Sequence, residues 1–277
     1  MDSLQKLRFY TIQIMPTIAY RPQIAIACIF TALFCMLTCG GLGAQEKQTQ
    51  FKYTYTVMDA SYDAAAPTKV AKIMQRYRPL MESKMMAVVG YAAEALEAGR
   101  PESRLSNFAA DALLEVARWH ENEDIDIGLT NFGGLRASIP QGDVRLYDIY
   151  AVFPFENALV ILDMEGADVW KLFEAFAARG RIEAVSGISI KIENRKIKEL
   201  LIGGQPFDPQ KRYRVATIDF LLGGGDSVAA LKNAVSVEYT GLMLRDVVLK
   251  YIEMRKAEGK DVGAEVGGRV SIQEEQQ

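Results

Sequence analysis

A recurring switch of hydrophobic period sets the first limit on what this chain can become. Over residues 102–119, Phe108, Ala109, Ala112, Leu113, Val116 and Trp119 fall at steps of three and four, with Ser103 or Ser106 as the cap. That spacing predicts a helix with one apolar face. Residues 126–130 then form a short apolar run that predicts a buried strand. The strand delivers into Asn131-Phe132-Gly133-Gly134-Leu135-Arg136, where paired glycines let the backbone turn closely around a bound group.

The same exchange repeats downstream. Residues 158–164 predict a strand rich in branched apolar side chains, and Gly166 precedes a helix to Ala178 that packs Val169, Leu172, Phe173 and Phe176. Residues 188–192 and 197–202 alternate with period two around Glu193-Asn194-Arg195-Lys196, the pattern of a hairpin. Residues 213–218 predict a further strand, which ends at Asp219-Phe220 and the turn Gly223-Gly224-Gly225-Asp226. A last amphipathic helix is expected over residues 241–256, burying Leu242, Leu244, Val247, Val248, Tyr251 and Ile252. Helices and strands interleaved in this way predict an α+β fold, a mixed β-sheet faced by helices, in one domain over residues 67–277. Its first helix is expected over residues 69–82, with Val70, Ile73, Met74 and Tyr77 at helical spacing and Pro79 ending or kinking it. Residues 45–66 read as an entry arm in which Tyr53, Tyr55 and Val57 alternate like a short strand.

Residues 1–44 read as an export address. Lys6, Arg8 and Arg21 precede an apolar run at residues 24–37, and small residues follow through Gly43-Ala44. The run is shorter than the roughly 20 residues of a membrane-spanning helix. Cleavage after Ala44 leaves a mature start at Gln45; lipid attachment at Cys39 and an uncleaved anchor are the second and third readings. The chain is accordingly expected to be exported, periplasmic or envelope-associated.

The distribution of reactive side chains excludes several chemistries. Cys28, Cys35 and Cys39 all lie in the leader, and His120 is the only histidine. The folded part therefore has no thiols for a zinc or disulfide framework, and one imidazole cannot serve a two-metal phosphatase centre. His120 follows Trp119 at a helix end, where it is read as meeting the last carbonyls. No Gly-x-Ser-x-Gly elbow, Walker loop or Gly-x-Gly-x-x-Gly turn occurs, which leaves a self-sufficient esterase remote. The 32 basic and 35 acidic residues are spread along the chain, so no basic stripe marks a nucleic-acid polymer as partner.

What remains is a set of binding groups. Arg136 follows the glycine turn, where a guanidinium can fork onto phosphate oxygens. Phe155 and Phe220 each follow a strand in a loop, where an exposed ring stacks on a base. Asp226 ends a glycine turn and can accept from two neighbouring ribose hydroxyls. Against these stand plainer readings: a solvated arginine, core phenylalanines and a turn-forming aspartate.

Four ordered stretches resemble the carboxy-terminal domain of the 5'-nucleotidase family. Residues 102–112 resemble that family's E-S-N-L-G-N-L-x-A-D-A helix start, and Asn131 to Arg136 its N-G-G-G-I-R turn. Phe153-Pro154-Phe155-Glu156-Asn157 resembles L-P-F-G-N, and residues 219–226 resemble D-F-L-A-x-G-G-D-G. The resemblance implies that Arg136 binds phosphate, Asn131 contacts the nucleotide, Phe155 and Phe220 sandwich the base, and Asp226 holds the ribose. It also implies a second phosphate-binding arginine upstream, for which Arg100 is the nearest candidate. Phe132, Glu156 and Ser227 replace family glycines. The family's metallophosphoesterase domain, with its D-x-H, G-N-H-E and G-x-H-x-H motifs, has no counterpart in the sequence. The expected role is thus a nucleotide-binding half with no cofactor of its own, serving a metallophosphoesterase chain that carries the divalent metals. The alternative is a structural or interaction module whose pocket has decayed.

Overall fold

The protein is represented by a computed structural model that describes residues 54–57 and 68–274. The leader with Cys39, and Tyr53 of the arm, lie outside the described residues. Within the unit Pro67–Gln277, the chain runs through α1 (Lys69–Met85), β1 (Val88–Ala92), α2 (Arg104–Glu121), β2 (Ile127–Thr130), β3 (Gly142–Arg145) and α3 (Leu146–Val152). It continues through β4 (Ala158–Glu165), α4 (Gly166–Ala178), β5 (Ala184–Ser186), β6 (Ile188–Glu193), β7 (Lys196–Ile202) and β8 (Gln205–Pro206). It ends with β9 (Arg212–Ile218), α5 (Asp219–Leu222), β10 (Ser236–Met243), α6 (Leu244–Ala257) and β11 (Val270–Gln273).

Helix α2 starts where the sequence closes its first turn reciprocally. Ser106 N–H donates to Ser103 Oγ at 3.2 Å and Ser103 N–H donates to Ser106 Oγ at 2.9 Å. Leu105, Phe108, Ala112, Leu113 and Val116 are fully buried, and the helix packs against β2, β5 and α6. Each large apolar side chain withdrawn from water in this way contributes about 1.5–3 kcal/mol. The acidic and amide groups of the same stretch secure the end of the chain. Glu102 Oε1 accepts from Asn107 Nδ2 at 2.7 Å and Gly267 N–H at 3.0 Å, while Asp111 takes both terminal nitrogens of Arg269 at 2.7 and 2.8 Å.

Five strands form the central sheet in the order β10-β4-β9-β2-β5, antiparallel except where β2 lies beside β9. A four-stranded sheet, β11-β6-β7-β8, contains the expected hairpin. Its turn residues Asn194 and Arg195 have φ of 50° and 62°, the left-handed pair that a two-residue hairpin connection needs. Strands β1 and β3 pair separately, so the strands are shared among three sheets rather than one.

Several local expectations give way. Tyr55 and Val57 lie in no strand. Helix α1 continues through Pro79 to Met85, with none of its residues buried, so the carbonyl that loses its N–H partner is open to water. Its apolar stripe is consequently not core. Trp119 is 53% exposed, with Lys250 Nζ 4.5 Å from the ring centroid, because α2 leaves the packed interior in its last turn. His120 lies 3.8 Å from Glu121 Oε1 rather than on the last carbonyls. The final helix begins at Leu244, not Gly241, since Ser236–Met243 is drawn into the sheet as an edge strand. Residues 146–152 are helical, so Phe155 follows a helix rather than a strand.

Candidate functional site

Strand register gathers the sequence-predicted residues at one edge of the central sheet. Leu159 pairs with Ile218, Gly128 with Ala216, and Thr130 with Ala184. The ends of β2 and β9 and the starts of β4 and β5 therefore share that edge. From it spring the Asn131–Arg136 turn, the loop carrying Phe155, the segment ending at Glu183, and the segment from Asp219 to Asp226.

Hydrogen bonds tie these segments together in pairs. Asp219 Oδ1 accepts from Phe220 N–H at 2.8 Å and from Ala158 N–H at 3.2 Å, which joins the base of the Phe220 segment to the end of the Phe155 loop. Asn131 Nδ2 donates to Asp226 Oδ2 at 2.6 Å, joining the glycine turn to the 219–226 segment. Glu183, only 2% exposed, accepts from Phe132 N–H at 2.8 Å and pairs with Arg100 at 3.3 Å. The Arg100 guanidinium also donates to the Ile182 carbonyl and lies 4.1 Å from the Phe132 ring centroid. Arg179 Nη1 donates to the Asp226 carbonyl at 2.8 Å.

Close packing explains the glycines beside these groups. A Cβ on Gly134 would stand 2.7 Å from Asn131 Oδ1, and one on Gly225 would stand 2.4 Å from the Phe220 ring. The Phe220 ring therefore lies directly over the backbone of Gly225. It remains 45% exposed, and Phe155 is 48% exposed, so neither ring is a core residue. The Phe155 loop is held from behind by the buried Phe153 and by Arg245 Nη1, which donates to the Pro154 carbonyl at 3.0 Å. Arg245 Nη2 also lies 3.9 Å from Glu156 Oε1, offsetting the charge introduced there.

The sequence-predicted arginines differ in state. Arg136 anchors its turn through its backbone, with N–H donating to the Val152 carbonyl at 2.9 Å, and its exposed guanidinium has no partner among the described residues. Arg100 is committed to Glu183, Ile182 and Phe132. Two further residues escaped the sequence reading: Glu183, whose only signal is a lone carboxylate inside the apolar run Ile182 to Val185, and Arg179. Burial pushes the Arg179 guanidinium below its ordinary pKa, Glu183 opposes the shift, and Arg181 and Arg100 add to it. Arg179 Nε and Asn131 Oδ1 are buried without hydrogen-bond partners among the described residues. The Arg179 guanidinium thus shares its surroundings with Arg100 and Arg181 and with the carboxylates of Glu183 and Asp226. Among the described residues, no three His, Cys, Asp or Glu side chains are arranged as ligands for a metal.

Comparison with known proteins bears on this arrangement. The sequence pattern described as "5'-nucleotidase, C-terminal domain" matches residues 88–233, more than half of the chain. The chain belongs to the 5'-nucleotidase C-terminal domain family. Protein UshA of Yersinia enterocolitica is 29% identical over 195 residues, covering 69% of this chain and 35% of that protein. Protein UshA of Escherichia coli is 28% identical over 216 residues, covering 76% and 39%. The crystal structure of a 5'-nucleotidase precursor from Thermus thermophilus matches with a TM-score of 0.64 at 28% identity, covering 75% of this chain and 44% of that one. NAD nucleotidase of Haemophilus influenzae shares the fold, with a TM-score of 0.57 at 20% identity over 79% of this chain and 42% of that one. The chain therefore spans 35–39% of the length of the two UshA relatives. The matched 5'-nucleotidase C-terminal domain includes every residue of the sheet-edge cluster from Arg100 to Asp226 and excludes α1.

Proposed function

We propose that this 5'-nucleotidase C-terminal domain binds the base, ribose and phosphate of a nucleotide and presents the phosphate to a separate metallophosphoesterase chain. The observation that carries the reading is the conjunction, at one sheet edge, of two half-exposed rings, a carboxylate and an unpartnered guanidinium. Phe155 and Phe220 offer faces for base stacking, worth about 1–3 kcal/mol per base. Asp226 Oδ1, which Asn131 does not engage, accepts from the ribose hydroxyls. Arg136 forks onto phosphate oxygens. In this reading the divalent metals that activate water are carried by the partner chain, and the described residues of this chain supply binding groups alone. Export by the leader would set the reaction outside the cytoplasm.

Calorimetric titration of the purified chain with nucleoside 5'-monophosphates should give weak, saturable heats. The same preparation should release no phosphate when divalent metals are added. Flat titrations with several nucleotides would overturn the binding role, and substantial turnover by the chain alone would overturn the division of labour.

A further inference from the structure

Helix α1 lies ahead of residues 88–233, which match the family pattern, and has no place in the nucleotide site, yet it carries an exposed apolar stripe. At 100° per residue, Val70, Ile73, Met74, Tyr77, Leu80 and Met81 fall within an arc of about 120°. These six are between 57% and 65% exposed. Lys69 and Arg76 border one margin of the stripe and Arg78 the other, Lys72 and Pro79 lie on the opposite face, and Lys84 falls in line with the stripe in the last turn, beyond Met81. Thr68 Oγ1 caps the helix by accepting from Ala71 N–H at 3.1 Å.

The charge follows the same division. Helix α1 carries five cations and one carboxylate, Glu82, for a net of +4. The whole chain has 32 Lys and Arg against 35 Asp and Glu, so the rest holds 27 against 34, a net of −7. An apolar stripe flanked by cations on an otherwise acidic protein matches the chemistry of an anionic lipid surface. Such a surface supplies a greasy layer and diffuse negative charge together and asks for no shape complementarity. A second copy of the chain would set +4 against +4 along the same helix. We propose that α1 is a membrane-surface helix that lies in the headgroup layer of anionic phospholipid, with the stripe inward and the cations at phosphate level. The proposal does not depend on the nucleotide-binding reading.

Amide hydrogen exchange of the full chain tests it locally. Mixed phosphatidylcholine–phosphatidylglycerol vesicles should slow exchange across residues 69–85 by roughly tenfold, and high salt should reverse the effect. Phosphatidylcholine vesicles should leave that segment unchanged. An Ile73→Glu/Tyr77→Glu variant and a Lys72→Glu/Arg76→Glu variant should each abolish the slowing while exchange in α2 and β9 stays as in the wild type. No slowing, equal slowing on neutral vesicles, or slowing that needs only higher protein concentration would overturn the proposal; the last would assign the stripe to a second copy. Slowing produced only by an added metallophosphoesterase chain would overturn it too, and assign the stripe to that partner.

Discussion

Asn131 and Asp226 lie 95 positions apart in the chain, and the amide of the first donates to the carboxylate of the second at 2.6 Å. The bond joins the glycine turn after β2 to the segment after β9, and it leaves one Asp226 oxygen for a ligand. Replacing Asn131 with alanine should release Asp226 and weaken nucleoside monophosphate binding by about 1.5–3 kcal/mol, the range for hydrogen bonds to a charged group. Asn131→Asp should cost more, since it sets like charges against each other. Calorimetry of both variants checks the order.

Glu183 should act as the brace of the same turn. Glu183→Ala strips the Phe132 amide of its acceptor and Arg100 of its counter-ion, and is expected to cost about 1–3 kcal/mol of stability in denaturant unfolding. Glu183→Gln keeps an acceptor and should cost less. Exchange of the Phe132 amide should accelerate in the alanine variant whether or not nucleotide binds.

Gly225→Ala should separate binding from folding. The new methyl group would occupy the volume of the Phe220 ring, so the ring must swing away. Nucleotide affinity should fall by about 1–3 kcal/mol, the value of one stacked base, with little change in the unfolding midpoint. Phe220→Ala should give a loss of similar size, measured by the same titration.

Asp111→Ala should do the reverse. Its carboxylate holds Arg269 and, with it, the approach to β11, away from the ligand edge. A stability loss of about 1.5–3 kcal/mol is expected, with unchanged nucleotide affinity below the unfolding transition.

The pattern of what could be read in the sequence follows from burial. Helix α2, the β6–β7 hairpin and the inner face of α6 were legible because each presents one face to the interior, and side-chain period reports that directly. Strand β10 was missed because it is an edge strand with most of its side chains in solvent, so no alternation is imposed on it. Trp119 and the α1 stripe obey helical spacing without being buried, for spacing records the helix and not what covers it. Within the candidate site, the glycine-flanked residues stood out through their motifs. Glu183 and Arg179 did not, because their partners Phe132, Arg100 and Asp226 are brought to them only by the pairing of β2 with β5 and the return of α4 to the sheet edge.

The most direct test of the account is amide hydrogen exchange of the full chain with and without a saturating nucleoside 5'-monophosphate. The account predicts slowed exchange concentrated in residues 131–136, 153–157 and 219–227, and lost in the Phe155→Ala/Phe220→Ala double variant. Protection elsewhere, or none in these segments at concentrations where calorimetry shows binding, would contradict a nucleotide slot at this sheet edge.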